Sequence, residues 1–319
     1  MKSLYNIKLK NIKIFLELIE IDFQLFAASI NLLGFIVGSR YLGSFNLINS
    51  CIYSLATISI FSCCNLINDL VDYKNAKDSF YKNNINFIGK YKISVDYITK
   101  VIFFFLLVSI LLGIWLVYLT NIVLLFIGII CYSVAIFYTF GPYSISRSPF
   151  GEVTVFIIYL ISYFIAVYIQ KSSILSIYFL NNHIHFYINL TIILKTLFIF
   201  LSIAFLSTNF MLINNICDYD EDIKNDRKTL VHYLGENLSI KLYDLLMILS
   251  FISFLLQIIF GIIPIYSIVF LFILYLIALN TKRNFRRYHT KDFKKSSSFK
   301  LARVVFIYMI TYYIILLIK

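Results

Sequence analysis

Two short polar segments hold the residues of this chain that could do chemistry. The first runs from Asn65 through Asn68, Asp69, Asp72, Lys74 and Lys77 to Asp78; the second from Asn214 and Asn215 through Asp218, Asp220, Glu221, Asp222, Lys224 and Asp226 to Arg227. Both close long apolar runs, where a carboxylate is expensive. Even the lenient insertion scale charges about 2.5–3.5 kcal/mol for an ionised side chain at mid-membrane, so acids retained in such a setting point to a site. On a helix Asn68 and Asp72 are one turn apart and Asp69 shares their face, while Asp78 lies beyond the turn and can fold back. Asn214 and Asn215 stand one turn before Asp218, and Asp222 follows one turn later, making a second polar stripe. Asp220 and Glu221 fall on other faces and read as solvated loop charges.

Hard cations such as Mg²⁺ prefer oxygen ligands and are typically held by one or two carboxylates together with substrate phosphates. Two facing stripes therefore predict Mg²⁺ bridging a diphosphate. Asp69, Asp72, Asp78, Asp218 and Asp222 are the candidate metal ligands, with Asp72, Asp78, Asp218 and Asp222 carrying catalysis by neutralising the leaving group. Asn68, Asn214 and Asn215 would assist at the diphosphate. Lys74 and Lys77 follow the first stripe, and Lys224, Arg227 and Lys228 the second, where each can meet phosphate oxygens; the bland alternative is orientation charge.

The elements that must position these residues follow from composition. Of 319 residues 61% are hydrophobic and 14% charged, which places the chain among membrane proteins. Runs long enough to cross about 30 Å of hydrocarbon as helices fall at approximately 15–38, 47–69, 99–119, 121–141, 150–170, 191–216, 242–261, 264–280 and 301–318. Tight turns are expected at Thr120-Asn121 and from Gly261 to Pro264. The expectation is an all-α membrane protein, a single integral-membrane domain over 1–319 with about nine transmembrane helices.

The net charge of +12 would suit nucleic acid, but its distribution argues for topology instead. With the N-terminus inside, all but Arg40, Lys171, Lys195 and Lys319 of the 28 basic residues lie on one side, as the positive-inside rule requires. Both acidic stripes land on that side. The basic run from Lys282 to Lys295 reads as an orientation signal in contact with anionic lipid. Glu17, Glu20 and Asp22 interrupt the first apolar run, so no cleavable signal peptide is expected. Cys51, Cys63, Cys64, Cys131 and Cys217 show no CxxC spacing and read as packing residues. His183 and His185, between the fifth and sixth spans, lack partners for a metal and read as interfacial decoration. Walls rich in Phe, Tyr and Ile suit a long isoprenoid. A cavity open to lipid would shield an allylic cation from water, and aromatic faces could stabilise it.

The two motifs resemble those of the UbiA superfamily of intramembrane prenyltransferases, and within it the 1,4-dihydroxy-2-naphthoate, menaquinone-type branch. Asn68, Asp69, Asp72 and Asp78 match the first motif. Asn214, Asn215, Asp218 and Asp222, then Lys228-Thr229-Leu230 and Leu234-Gly235, match the second. Tyr138-Thr139-Phe140-Gly141-Pro142 through Gly151-Glu152 is similar to the branch's loop between spans four and five. The resemblance implies helices around a lipid-open central cavity, Mg²⁺ dependence, and transfer of a prenyl group from a polyprenyl diphosphate to an aromatic acceptor. Apart from the resemblance, the topology suits a bacterial cytoplasmic membrane, and the bias toward Ile, Lys and Asn suggests an AT-rich genome. Tyr138, Arg147 and Glu152 are the expected acceptor-binding residues, since a guanidinium can pair with an aromatic acid. The chain departs from the pattern at Glu20-Ile21, where the family has Arg-Pro, and at Cys217 and Arg147, where the branch has Arg and Tyr.

Two other readings remain open. A terpene cyclase of the same superfamily would let the substrate's own double bond attack the cation. A transporter would use intramembrane acids to bind cargo, with acids near the midplane and broken helices, whereas these acids cluster at span ends.

Overall fold

The computed structural model describes residues 14–141, 144–269, 272, 275 and 276. Its long helices are α1 (Ile21–Leu42), α2 (Leu47–Asn75), α3 (Val95–Leu119), α4 (Val123–Thr139), α5 (Gly151–Tyr168), α6 (Leu190–Cys217) and α7 (Leu230–Ile259). Several start where a side chain closes the first turn: Asn46 accepts from the amide of Asn49, Ser94 from that of Tyr97, and Asn189 from that of Ile192. Among the described residues six helices are long and apolar enough to cross a membrane, and α4 is a shorter apolar helix of 17 residues. The last expected span, 301–318, and the basic run from Lys282 lie outside the described residues, as does part of the expected span 264–280.

Both expected tight turns are present: α3 gives way to α4 around Asn121, and α7 ends at Ile259, with Gly261 in the left-handed region at φ 66 ahead of Pro264. Three boundaries differ. The first run is split: residues 14–18 are helical, the long helix begins at Ile21 rather than 15, and between them Glu20 turns into the left-handed region at φ 51. Its neighbour Glu17 accepts a 2.5 Å hydrogen bond from the Tyr91 hydroxyl. Helix α2 carries the first acidic stripe within itself as far as Asn75. Helix α7 begins at Leu230, well before the expected 242, and is interrupted at Gly235 (φ 70, ψ 169). The fold is also not purely helical: between α5 and α6, antiparallel strands β1 (Leu175–Leu180) and β2 (His183–Ile188) form a hairpin.

Packing runs α3–α2–α1–α5–α6–α7, with α4 set against α2, α3 and α5. Lipid cannot drive helices together as water does, so small residues and interhelical hydrogen bonds decide the contacts. Gly34 and Gly38, one turn apart on α1, lie against α5: a Cβ on Gly34 would stand 2.9 Å from the Tyr163 carbonyl oxygen, and one on Gly38 would meet the Gln170 side chain. Polar pairs add to this. Asn31 donates to Thr57 (2.8 Å), Gln24 to Ser62 (3.1 Å), and Asn49 to the Ile169 carbonyl (2.9 Å). Across α6 and α7, Asn209 donates to the Tyr243 carbonyl (3.0 Å) and Gln257 to that of Phe198 (2.9 Å). Many large side chains on α3 and α4, including Phe103, Phe104, Trp115 and Phe126, point outward, as on a surface bathed by acyl chains.

Candidate active site

Successive helices alternate in direction, so the C-terminal ends of α2, α4 and α6 and the N-terminal ends of α1, α5 and α7 share one end of the bundle. Every sequence-derived site residue is on those ends. After α2 stops at Asn75, Asp78 accepts from the amide of Phe80 (2.8 Å), starting a turn that becomes the π-helix Tyr81–Ile85. Asn86 then accepts from the amide of Ile88 (3.0 Å) and donates to the Asp69 carbonyl (3.0 Å), folding the loop back onto the end of α2. Gly89 allows that fold, because a Cβ there would collide with the Lys82 carbonyl.

The second motif uses a similar device. Asp218 follows α6, a short helix spans Tyr219–Lys224, and Asp226 takes a left-handed conformation at φ 57. That reversal lets the amide of Arg227 donate to the Asp222 carbonyl at 2.8 Å. The two loops then touch. The Lys77 amide donates to Asn225 Oδ1 (3.3 Å), and Lys77 Nζ pairs with Asp226 (3.2 Å) at the exposed rim.

Beneath this rim lies a buried charge cluster. Asp72 is buried, and a charge there must be matched by opposite charge. Arg147 Nη2 reaches its Oδ1 at 2.7 Å, and Arg227 Nη1 its Oδ2 at 3.5 Å. Arg227 also reaches Asp222 Oδ1 through Nε at 3.5 Å. One guanidinium thus spans the two stripes. Burial pushes the Asp222 carboxyl up to about 7; Arg227 opposes this, while Asp218 and Asp72 add to it. Asp222 Oδ2 is buried with no hydrogen-bond partner.

The loop between α4 and α5 joins the cluster. Glu152, buried at the start of α5, accepts from Asn215 Nδ2 at 2.8 Å, and its second oxygen is also buried without a partner. Tyr138 lies within electrostatic reach of both Arg227 and Glu152. Arg147, expected against an acceptor carboxylate, has one nitrogen committed to Asp72; Asn215, expected at the diphosphate, is committed to Glu152. These two contacts couple the loop between α4 and α5 to the acidic stripes.

The remaining expected residues sit around this core. Asn68, Asp69 and Asn214 are half-buried on the same helix ends, Asp78 is half-buried in the returning loop, and Asp218 is exposed. Lys74, Lys224 and Lys228 are exposed on the rim. Among the described residues no three acidic, histidine or cysteine side chains converge closely enough to hold a metal ion by themselves. That agrees with the chemistry of Mg²⁺, which takes one or two protein carboxylates and leaves other positions to phosphate and water. Asp72 and Asp222, with the unpartnered Oδ2, fit such a donor set.

Sequence reasoning missed three contributors. The Tyr81 phenol is raised first by burial and then by the charge of Asp72, with Arg227 opposing, so it stands within electrostatic reach of the cluster. Asn225 is the clamp between the loops, and Glu20 stands within electrostatic reach of Asp69. Tyr81 and Asn225 follow the acidic stripes in loops whose course no periodicity reveals. Glu20 was visible as a departure, but its neighbour in space was not. An apolar hollow of about 160 Å³ between α5 and α6, lined by residues such as Leu160, Phe164 and Leu197, lies toward the other end of the bundle and contains none of these groups.

Comparison with known proteins places this geometry. The profile of the UbiA prenyltransferase family matches residues 31–310. Among solved structures, the chain superposes on a digeranylgeranylglyceryl phosphate synthase with a TM-score of 0.67 at 15% identity, covering 97% of this chain and 100% of that one. A UbiA homolog from Archaeoglobus fulgidus bound to DMAPP and Mg²⁺ gives 0.58 at 14% identity, covering 92% and 98%. The apo UbiA homolog from Aeropyrum pernix K1 gives 0.61 at 12%, covering 88% and 98%. No curated protein matches the sequence. At these identities the solved structures speak for the fold.

Proposed function

Since the chain belongs to the UbiA prenyltransferase family and is by that membership an enzyme, we propose that it transfers a prenyl group from a polyprenyl diphosphate to an aromatic acceptor, 1,4-dihydroxy-2-naphthoate, with Mg²⁺ as cofactor. The observation that carries the donor half is the meeting of the two motif loops, in which Arg227 spans Asp72 and Asp222. The homolog from Archaeoglobus fulgidus has been solved with DMAPP and with GPP, each with Mg²⁺, which supports the same ligands here.

Asp72 and Asp222 would hold Mg²⁺, with Asp69, Asp78 and Asp218 as the further expected ligands. When bound, Mg²⁺ neutralises charge on the departing diphosphate, a contribution of several kcal/mol. Lys74, Lys77, Lys224, Arg227 and Lys228 surround the same end and attract the diphosphate, and Asn68 and Asn214 present amides to it. Asn215 acts through Glu152. Tyr138, Arg147 and Glu152 form the acceptor side, so the ring that attacks the prenyl carbon lies beside the buried cluster. A central cavity open to lipid holds the prenyl chain and keeps water from the cation. The proposed setting is a bacterial cytoplasmic membrane with this end of the bundle facing the cytoplasm.

The test is product analysis. Purified protein is incubated with Mg²⁺ and prenyl diphosphates of several lengths, alone and with candidate aromatic acids, and products are identified by mass. The expected result is a prenylated, decarboxylated naphthoquinol precursor that forms only when the acceptor is present. Hydrocarbon or cyclic alcohol formed without acceptor would assign the chain to cyclisation instead.

A further inference from the structure

The hairpin at the opposite end of the molecule has two chemically distinct faces. Side chains alternate across a strand, and cross-strand partners share a face. The register pairs Leu175 with Ile188, Ile177 with Phe186 and Phe179 with Ile184, so one face is wholly apolar. The alternate pairs, Ser176 with Tyr187, Tyr178 with His185 and Leu180 with His183, make the other face amphipathic. Tyr178 and His185 stack there with ring centroids 5.2 Å apart. The hairpin has no acidic, lysine or arginine side chain.

The apolar face differs from strand to strand. On the first strand Leu175 and Ile177, at the base, pack against the main core. Phe179 beyond them, and the second-strand partners Ile184, Phe186 and Ile188, are exposed, at 69%, 63%, 72% and 59%. Asn121, between α3 and α4, holds the base in place: its Nδ2 donates to the Ile177 carbonyl (3.0 Å) and its Oδ1 accepts from the Ile177 amide (3.1 Å). The exposed residues therefore continue the outward apolar surface of the spans on either side, including Ile122 and Phe126 of the α4 end and Leu190 and Leu194 of α6.

We propose that this hairpin is an interfacial anchor. Its apolar face lies at the boundary between headgroups and acyl chains in the leaflet opposite the acidic motifs, and its tyrosine and histidine face looks toward water. Continuity with the lipid-facing surface of the spans decides for lipid over a protein partner, because α5 and α6 hold the base of the hairpin at the membrane surface. Tyrosine suits that depth, having an apolar ring and a polar tip. The absence of formal charge means attachment by buried apolar area, without dependence on anionic lipid.

The test uses tryptophan fluorescence in vesicles. Trp115 is the single tryptophan of the chain; in a Trp115→Phe background, reporters are introduced singly as Phe179→Trp or Ile184→Trp on the apolar face and Ser176→Trp or Tyr187→Trp on the other. Each protein is reconstituted into phosphatidylcholine vesicles with bromines at shallow or deep acyl positions, and binding of a prenyl diphosphate confirms folding. The expected result is loss of emission from positions 179 and 184 with shallow bromines, and from 176 and 187 with aqueous acrylamide. Two reporters on each face keep the test usable if one variant fails to fold. Equal quenching of both faces by bromines overturns the orientation. Acrylamide access without bromine quenching at 179 and 184 overturns the membrane contact, and shielding of those positions from both quenchers assigns the face to a second copy.

Discussion

Asp72 is where the individual residues meet, held by Arg147 on one oxygen and Arg227 on the other. Asp72→Ala or Asp218→Ala should lower turnover at least about a hundredfold, since that corresponds to roughly 3 kcal/mol of lost leaving-group stabilisation. Steady-state rates with and without a chelator check it, and full activity in the chelator ends the metal reading. Asp222 adds a pH dependence. Its carboxyl is raised from 3.8 to about 7, so the metal-free folded protein holds a proton there that the unfolded chain releases. That contribution to stability is complete below about pH 4 and is lost as pH rises through about 7. Mg²⁺ must displace the same proton, so its apparent affinity should fall by up to about tenfold per unit below pH 7. Calorimetric titrations at pH 5.5 and 8 that give equal affinities would refute this. Arg147→Lys keeps a charge for Asp72 but loses the two-pronged guanidinium. The expectation is a raised KM for the naphthoate with little change for the prenyl diphosphate; a rise confined to the diphosphate would move Arg147 to the donor side.

At the scale of elements, what mattered most was where helices stop. The C-terminal end of α6 was legible because Asn214 to Asp222 combine helical spacing with the end of an apolar run, whereas α2 runs past the expected 69 to Asn75 because its polar stripe is itself helical. The turns at Asn121 and at Gly261 to Pro264 were legible from their breakers. The hairpin was not: Tyr178-Phe179-Leu180 is apolar without a break, so alternation is obscured, and the strand pair is recognisable only once the bundle brings residues 175 and 188 together. The kink at Gly235 and the break at Glu20 were likewise hidden, since each depends on a positive φ that hydrophobic spacing does not announce. Packing of α1 on α5 offers the test. Gly34→Val places two methyl groups against Tyr163 and Ala166, and overpacking of this kind costs roughly 1–3 kcal/mol. A lower midpoint of thermal unfolding in detergent is expected, and an unchanged midpoint would show that α1 and α5 do not pack this closely.

For the whole molecule the question is which end faces which side. The loops carrying Lys82 and Lys228 belong to one end, joined through Lys77 and Asp226, while His183 sits beyond the far end of α6. Single cysteines at positions 82 and 228, in a background lacking the native cysteines, should react with an impermeant maleimide from the cytoplasmic face, and one at 183 from the other. Reaction of 82 and 228 from opposite faces would dismantle the shared site. The sequence by itself determined that the chain is a membrane protein and that two acidic stripes of matching form close two of its spans. Those properties rest on composition and on spacing within one helix, which neighbouring residues settle among themselves. Only the tertiary structure decided that Arg227 bridges both stripes, that Arg147 is paired with Asp72 and Asn215 with Glu152, and that the hairpin turns an apolar face outward. These contacts join residues up to 155 positions apart, and at that range the packing of the helices, rather than any local pattern, determines which side chains meet.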